Sequence, residues 1–468
     1  THLVVPVANY SRDSEGNFYR LGIFEGDQLV QNFNVSLPRN GDAYWVNAYP
    51  LDHFGLRGKT ITIKTTEGPE PGDHYTMALD QIRIDEDITL RNPGNYKEPY
   101  RNQFHASSLR GWNNDPNGLV YHDGTYHLYY QYNPFGIFWG NMHWGHFTST
   151  DLIQWKQHPI VLFQKTVKDM AFSGGGFVDF NNSSGLGKGT QFAAFTSTGR
   201  GECLVYSKDG GMTFTELKEN PMVVHNGRDP KVIWYAPEKK WVMALYNNEE
   251  SELTRSTPIA DVPEGKKRKW ANITFHESRD MRSWKLTGSF TDPDRPAVFE
   301  CPEMFELPVE NEPGQSRWIL YGAQNRYFVG QFNGKTFIKE SGPHGTRHGA
   351  FYAAQTYSDI PDGRRIQIGW VRTESYENLY PDQCTNQAFT LPHELTLRKT
   401  RDGYRVFYNP TKEVDSLRLE KVFSLKNPGQ AQAQALLQVC SGMLNEVEIE
   451  FEKAGEKELW IGGIEASF

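Results

Sequence analysis

Three acidic residues lie one or two positions before a proline, in settings that could adapt their carboxyl groups to acid–base chemistry: Asp115, Asp229 and Glu300. A residue before proline is pushed towards extended backbone, so Asp115 is expected to be held at the end of a strand. Arg228 beside Asp229 predicts a carboxylate that is kept ionised and oriented. The apolar and aromatic neighbours of Glu300 predict a raised pKa, which suits a general acid near neutral pH.

Each of these acids also has an ordinary structural interpretation. Asp115-Pro116-Asn117-Gly118 has the residue preferences of a type I β-turn. Asp229 with Arg228 could be a surface ion pair at the start of a strand, and Glu300 could simply end one. Local sequence alone leaves both interpretations open for all three positions.

The elements around the acids are predicted to be short strands joined by a repeated turn. Ser-x-Asp followed four or five residues later by an aromatic residue occurs at Ser149, Ser207 and Ser278, with Trp155, Phe214 and Trp284 as the aromatic residues. Ser and Asp side chains bond nearby backbone N–H groups, and the aromatic side chain fixes the turn to the next strand. This recurrence predicts the stacked four-stranded blades of a β-propeller, although three unrelated hairpins would give the same signature. Helices before residue 410 are expected to be few and short.

The rest of the chain predicts further β-structure. Residues 1–98 have short apolar segments between Gly and Asn turns, which is typical of a separate all-β module. Trp45, Tyr49 and Tyr75 could form a sugar-stacking surface there, but core packing is the favoured role. The stretch Leu90–Gln103 is rich in Asn, Pro and Tyr and is predicted to be a linker.

Composition excludes several classes of protein. The chain has 468 residues, a formal net charge of −8, 38% hydrophobic and 13% aromatic residues. The negative charge gives no attraction to nucleic acid or anionic lipid, and no apolar run is long enough for a membrane span. Four scattered cysteines, which we expect to be reduced, predict neither a zinc site nor a disulfide framework. His105, His143 and His146 lack acidic partners at ligand spacing, so they are expected to be core or rim residues and no metal is predicted.

Three motifs together resemble glycoside hydrolase family 32, whose members cleave β-fructofuranosides. They are Trp112-Asn113-Asn114-Asp115-Pro116-Asn117-Gly118, then Arg228-Asp229-Pro230, then Glu300-Cys301-Pro302, in the order of the family. The resemblance implies an all-β chain with a five-bladed β-propeller at residues 99–410. It also implies the start of a C-terminal β-sandwich at 411–468, which is short for a whole sandwich.

The same resemblance implies roles for individual residues. Asp115 matches the nucleophile, Glu300 the general acid/base, and Asp229 the residue that stabilises the transition state. Six further residues match positions that bind the substrate: Asn114, Gln131, Trp139, Ser173, Arg228 and Trp370. The stretch Thr346–His348 departs from the family by lacking an acidic residue, which leaves linkage preference open.

These matches predict a retaining hydrolase of fructans such as inulin or levan, with sucrose as an additional candidate, needing no cofactor. A fructosyltransferase of the same family and a catalytically inactive fructan-binding protein are the alternatives. The retained acids argue against the inactive protein. The expected partner is a fructan, with no nucleic acid and no membrane span. The substrate class predicts a secreted, periplasmic or cell-surface protein, although no signal peptide precedes Thr1.

Overall fold

The computed structural model describes residues 2–8, 18–38, 43–68, 79–86, 96–98, 100–247, 272–291, 298–324, 326–345, 350–373, 384–418, 429, 431–432, 458–461 and 464–467. The chain divides into a compact unit Thr1–Val414 and a second unit Asp415–Phe468. Within the described ranges, no helix is long and apolar enough to cross a membrane.

The N-terminal part of the first unit contains two three-stranded sheets. The strands in chain order are β1 (His2–Val7), β2 (Phe18–Glu25), β3 (Gln28–Ser36), β4 (Trp45–Pro50), β5 (Thr62–Glu67) and β6 (Arg83–Asp85). One sheet has the order β4-β1-β6 and the other the order β3-β2-β5.

Five antiparallel sheets follow and form the blades of a β-propeller. The strands of the first blade are β7 (Gly111–His122), β8 (Thr125–Asn133), β9 (His143–Ser149) and β10 (Lys156–Leu162). The strands of the second are β11 (Gly176–Asp179), β12 (Thr190–Ser197), β13 (Gly201–Ser207) and β14 (Thr215–Glu216). The strands of the third are β15 (Gly227–Tyr235), β16 (Lys240–Asn247), β17 (Asn272–Ser278) and β18 (Lys285–Phe290).

The remaining blades complete the ring. The strands of the fourth are β19 (Glu303–Pro308), β20 (Ser316–Tyr321), β21 (Arg326–Phe332) and β22 (Phe337–Gly345). The later strands are β23 (Phe351–Thr356), β24 (Ile366–Val371), β25 (Thr385–Asn386), β26 (Ala388–Phe389), β27 (His393–Thr400) and β28 (Gly403–Pro410). The fifth blade is β23-β24-β27-β28, with β26 paired to β24. Strand β25 pairs in parallel with β7, so chain from beside the last blade closes the ring onto the first.

Residues in or next to the strands of different blades are joined by backbone hydrogen bonds near the centre. Gly118 N donates to Gly174 O at 2.9 Å, and Gly175 N donates to Pro230 O at 2.9 Å, which links the first three blades. Ala353 N donates to Ala323 O at 3.0 Å between the fifth and fourth blades. Segments that are far apart in sequence therefore place their residues around one axis.

Each pair of neighbouring blades shares a cluster of buried apolar side chains. Trp144 and Phe195 belong to the cluster between the first two blades. Tyr130 and Phe389 belong to the cluster between the first and the last. Full burial of a Phe or Leu side chain stabilises the fold by about 1.5–3 kcal/mol, so these clusters hold the blades face to face.

The turn that the sequence predicts to recur from blade to blade is found in three blades, and in each it lies between the third and fourth strands. Ser149 Oγ donates to Asp151 Oδ1 at 2.9 Å, and the same carboxylate oxygen accepts the N–H groups of Ile153 and Gln154. The pairs Ser207–Asp209 and Ser278–Asp280 repeat this arrangement. The fourth blade uses Asn333 instead, which explains why the motif is not found there.

The two N-terminal sheets pack directly on the propeller. Their core includes Phe33, which stacks on Phe135 with ring centroids 4.1 Å apart. Trp45 and Tyr49 are buried in this core, so core packing is their role, while Tyr75 lies outside the described residues.

Near its C-terminal end, the chain has a 3₁₀ segment Lys412–Leu417 and a hairpin of β29 (Glu458–Ile461) and β30 (Ile464–Ser467). The other residues of the predicted C-terminal sandwich mostly lie outside the described residues. The boundaries 98/99 and 410/411 therefore stay predictions.

Candidate active site

Asp115 lies within strand β7 rather than in a turn. The register between β7 and β8 shifts between Asn113 and Pro116, so a bulge in the strand carries the acid. The type I turn interpretation of Asp115–Gly118 is therefore wrong, and so is the expectation that Asp115 ends a strand. A bulge re-aims a side chain without ending the pairing, which explains how a turn-like sequence is accommodated.

Ser173 from the second blade holds Asp115 in place. Its hydroxyl donates to Asp115 Oδ2 at 2.6 Å. The next residue, Gly174, packs closely against strand β12, where a Cβ would lie 1.9 Å from the carbonyl oxygen of Ala194. On the other side, Trp112 Nε1 donates to Asn114 Oδ1 at 2.9 Å.

Burial raises the pKa of the Asp115 carboxyl group. Hydrogen bonds from Ser173 and Asn114 lower the pKa, and the nearby charge of Glu300 raises it. The influence of Glu300 indicates that the two carboxyl groups share one electrostatic environment.

Asp229 has a strained backbone in the third blade. Its φ is +66°, in the left-handed region, so the extended conformation expected before proline is wrong here. A bulge between Arg228 and Lys231 accommodates this geometry. Two hydrogen bonds from backbone N–H groups to side-chain oxygens hold Asp229 in this conformation. Asp229 N donates to Thr196 Oγ1 at 2.8 Å, and Cys301 N donates to Asp229 Oδ2 at 2.9 Å.

The pKa of Asp229 is raised to about 7, chiefly because burial penalises the charged carboxylate. Arg228 and the Cys301 N–H lower the pKa, but Asp115 and Glu300 add to the rise. The sequence predicts that Arg228 keeps Asp229 ionised, but the Asp229 side chain is only 4% exposed. Its burial raises the pKa by more than Arg228 lowers it.

Glu300 lies in polar rather than purely apolar surroundings. Its Oε1 contacts Arg228 Nη2 in an ion pair, and its Oε2 accepts a hydrogen bond from Tyr352 at 2.6 Å. Both Glu300 and Cys301 have positive φ, +55° and +40°. The pKa of Tyr352 is raised, first by burial and then by its bond to Glu300.

Cys301 joins the three acids. Its Sγ is 3.6 Å from Asp115 Oδ2 and 3.7 Å from Asp229 Oδ2, and Glu300 precedes it in the chain. The thiol is buried and free, and burial together with the three acids raises its pKa. Asp115, Asp229 and Glu300, which come from three blades, therefore meet around one thiol.

Aromatic side chains line one side of this cluster. Trp370 meets Trp112 edge to face at 6.0 Å and Tyr352 at 6.0 Å. Its indole Nε1 donates to Gln387 Oε1 at 2.8 Å, so the ring is fixed in orientation.

The remaining predicted substrate-binding residues are less directly engaged with the acids. Gln131 is buried, and its Nε2 donates to Ala171 O at 2.9 Å. Trp139 is 52% exposed and packs edge to face on Phe172 with ring centroids 5.9 Å apart. Phe172 is the residue before Ser173 in the chain, so Trp139 contacts a sequence neighbour of a site residue.

Sequence reasoning missed Cys301, Tyr352 and Thr196 as parts of the site. Cys301 lies inside the Glu300-Cys301-Pro302 motif, so its position next to Glu300 is the available signal. Tyr352 lies in the stretch His348–Ala354, which resembles a family sequence, so that resemblance is an available signal. Thr196 belongs to an ordinary strand sequence and gives no local signal. The stretch Thr346–His348 lies outside the described residues.

The histidines form no metal centre in the described ranges, where no group of three or more His, Cys, Asp or Glu could hold an ion. Burial lowers the pKa of His143 to about 3, and it lowers the pKa of His146 as well. His105 contacts the carbonyl oxygen of Phe389 through Nδ1 at 2.8 Å. Cys203 and Cys384 are buried free thiols, and Cys440 lies outside the described residues.

Comparison with known proteins assigns this fold and site to a family. The profile described as "Glycosyl hydrolases family 32 N-terminal domain" matches residues 105–258 and 259–410. The chain therefore belongs to glycoside hydrolase family 32. The matched residues are those of the five blades and leave out the two N-terminal sheets.

Two similar curated proteins are enzymes of fructan breakdown by name. A levanase of Bacillus subtilis is 37% identical over 351 residues, which cover 69% of this chain and 48% of the levanase. An extracellular exo-inulinase of Aspergillus niger is 30% identical over 385 residues, covering 69% of this chain and 67% of the inulinase. The chain thus spans about half of the first relative and two thirds of the second.

Solved structures show the same architecture. The crystal structure of exo-inulinase from Aspergillus awamori matches with a TM-score of 0.57 at 30% identity, covering 69% of each chain. A fructofuranosidase from Schwanniomyces occidentalis complexed with fructose matches with a TM-score of 0.56 at 28% identity, covering 68% of this chain and 64% of that one.

Proposed function

We propose that this chain is a retaining glycoside hydrolase that cleaves β-fructofuranosidic bonds in fructans and in sucrose. The observation that carries the proposal is the cluster of Asp115, Asp229 and Glu300 around Cys301. Retaining hydrolysis needs a nucleophilic carboxylate and a carboxylic acid close together on either side of the bond that breaks. The names of the relatives, levanase and exo-inulinase, support fructans as the substrate class.

In the first step, Asp115 attacks the anomeric carbon of the fructosyl unit while Glu300 gives its proton to the departing oxygen. The C–O bond of the leaving group breaks as the carboxylate–carbon bond forms. In the second step, Glu300 takes a proton from water, and the resulting hydroxide displaces Asp115. Two inversions at one carbon retain its configuration.

The neighbouring residues support these roles. The Ser173 hydroxyl fixes Asp115 Oδ2, so the other oxygen, Oδ1, is the candidate attacking atom. Arg228 and Tyr352 each contact one oxygen of Glu300, which orients the acid. Asp229 is held because its own N–H donates to Thr196 Oγ1 and its Oδ2 accepts from Cys301 N. It would accept hydrogen bonds from sugar hydroxyls as positive charge develops on the ring.

Asp115→Asn should abolish turnover, because an amide does not form the covalent intermediate. We expect kcat on sucrose and inulin to fall by about a thousandfold or more, with the thermal midpoint nearly unchanged. Release of fructose, measured chromatographically, gives the rate, and the anomer formed first by the wild type gives the stereochemistry.

Asp123→Asn is the matched control, since Asp123 lies on the same blade with its side chain 91% exposed. It should keep full activity. Near wild-type activity of the Asp115 variant would remove Asp115 as the nucleophile, and an inverted anomer would contradict the retaining mechanism.

The substrate class also supports export from the cell. Fructans are polymers, and one relative is named an extracellular exo-inulinase. We infer that the protein acts outside the cytoplasm.

A further inference from the structure

The two N-terminal sheets support the loop that carries Trp139. Asn34 N donates to Asn141 Oδ1, and Asn141 Nδ2 donates back to Asn34 O, both at 2.8 Å. Trp45 Nε1 donates to Pro134 O at 3.2 Å, at the other end of the loop. The loop between β8 and β9 is thus fixed by residues that the family profile does not include.

The same sheets add an aromatic ring beside that loop. Phe18, at the start of β2, is 43% exposed, and its ring centroid lies 5.8 Å from that of Phe138. The next residue, Trp139, is 52% exposed and contacts Phe172. We call Phe18, Phe138, Trp139 and Phe172 the aromatic strip.

The aromatic strip begins at Phe172, the residue next to Ser173 of the candidate active site. Phe172 is bonded in sequence to Ser173, whose hydroxyl donates to Asp115 Oδ2 at 2.6 Å. Ring contacts join Phe172 to Trp139 and Phe138 to Phe18, and Phe138 and Trp139 are neighbours in sequence. Exposed aromatic side chains that adjoin a catalytic site are typical of binding surfaces rather than of a random surface.

We propose that the aromatic strip binds the sugar units of a β-fructan chain beyond the unit in the catalytic site, and that Phe18 supplies its distal subsite. This inference rests on the proposed function. Sugar rings carry apolar C–H faces that pack on aromatic rings, and an uncharged polymer needs no ion pair for this contact. The N-terminal module would then favour long substrates over sucrose.

The test compares a long and a short substrate. For Phe18→Ala, we expect the ratio of kcat/KM for long-chain inulin or levan to kcat/KM for sucrose to fall by about three- to tenfold. Phe18→Trp should restore the ratio, because it retains an aromatic face. Thermal unfolding of each variant checks that the module remains folded.

Phe180→Ala is the matched control. Phe180 is the residue after β11, which ends at Asp179, and its side chain is 47% exposed. It does not belong to the aromatic strip. Its ratio should equal that of the wild type. An unchanged ratio of the two kcat/KM values in Phe18→Ala would overturn the inference while leaving the proposed function intact. Absence of any wild-type turnover of β-fructosides would instead overturn the proposed function, and this inference with it.

Discussion

The acids of the site have unequal electrostatic surroundings. The side chain of Asp229 is almost fully buried, and its pKa is raised to about 7, whereas Glu300 contacts a guanidinium and a phenol. The strained backbone at Asp229, Glu300 and Cys301 is stabilised by bonds between blades. Such strain is typical of functional sites, where the surrounding fold fixes an unfavourable conformation.

The raised pKa of Asp229 predicts a pH-dependent stability. Between about pH 4 and pH 7 the folded state binds a proton that the unfolded state has lost, so stability from this group falls as pH rises. Asp229→Asn does not ionise. The free energy of unfolding of Asp229→Asn minus that of the wild type should therefore be lowest near pH 4 and should increase up to pH 7.

Urea unfolding across this pH range measures the difference. Asp123→Asn, at an exposed position, is the control, and its difference should change less with pH than that of Asp229→Asn. A constant difference for the Asp229 variant would contradict the raised pKa.

At the scale of the elements, a buried ion pair links β15, the strand that contains Asp229, to β19, the strand that follows Glu300. Lys231 in β15 has its Nζ 3.0 Å from Glu303 Oε1 in β19, and both side chains are at most 3% exposed. Lys231 Nζ also donates to Thr356 O at 3.1 Å, and Thr356 N donates to Glu303 Oε2 at 3.0 Å. Three blades are therefore held together directly next to Asp229 and Glu300.

Lys231→Met should lower the free energy of unfolding by about 3–5 kcal/mol, because it removes the ion-pair partner of the buried Glu303 carboxylate. The double variant Lys231→Met/Glu303→Leu should recover much of this loss. Equilibrium unfolding in urea gives both values.

Lys59→Met is the control, since Lys59 and Glu25 form an exposed pair with side chains 44% and 41% exposed. That change should cost less than about 1 kcal/mol. A double variant as unstable as the single one would show that the charges themselves, and not their imbalance, stabilise the blades.

At the scale of the whole molecule, the N-terminal sheets and the propeller share one core. Phe33 stacks on Phe135, and Gln31 Nε2 donates to Gln164 O at 3.1 Å across the same boundary. The predicted module is therefore packed on the propeller and is not an appendage on a long tether.

Phe33→Ala should destabilise the sheets and the propeller together. We expect a loss of about 3–5 kcal/mol in a single unfolding transition. Tryptophan fluorescence, dominated by the propeller, and backbone circular dichroism should shift equally.

Phe24→Ala, at a partly buried position of the same N-terminal sheet, is the control and should cost less. Two separate transitions in the Phe33 variant would show that the shared core does not couple the two parts.

Sequence alone determined the parts of this protein that depend on local chemistry. The Ser-x-Asp turns were recognisable because their hydrogen bonds join residues two to four positions apart. The three acids were recognisable because each lies in a short motif. Strand content followed from apolar runs and turn residues in the same way.

Only the tertiary structure decided what depends on contacts between blades. Three features of the site depend on such contacts. They are the left-handed backbone of Asp229, the hydrogen bond from Tyr352 to Glu300, and the position of Cys301 between two carboxylates. The docking of Phe18 beside Phe138 does the same for the N-terminal sheets. Local sequence does not encode such contacts, because packing of distant segments outweighs the preference of each single residue.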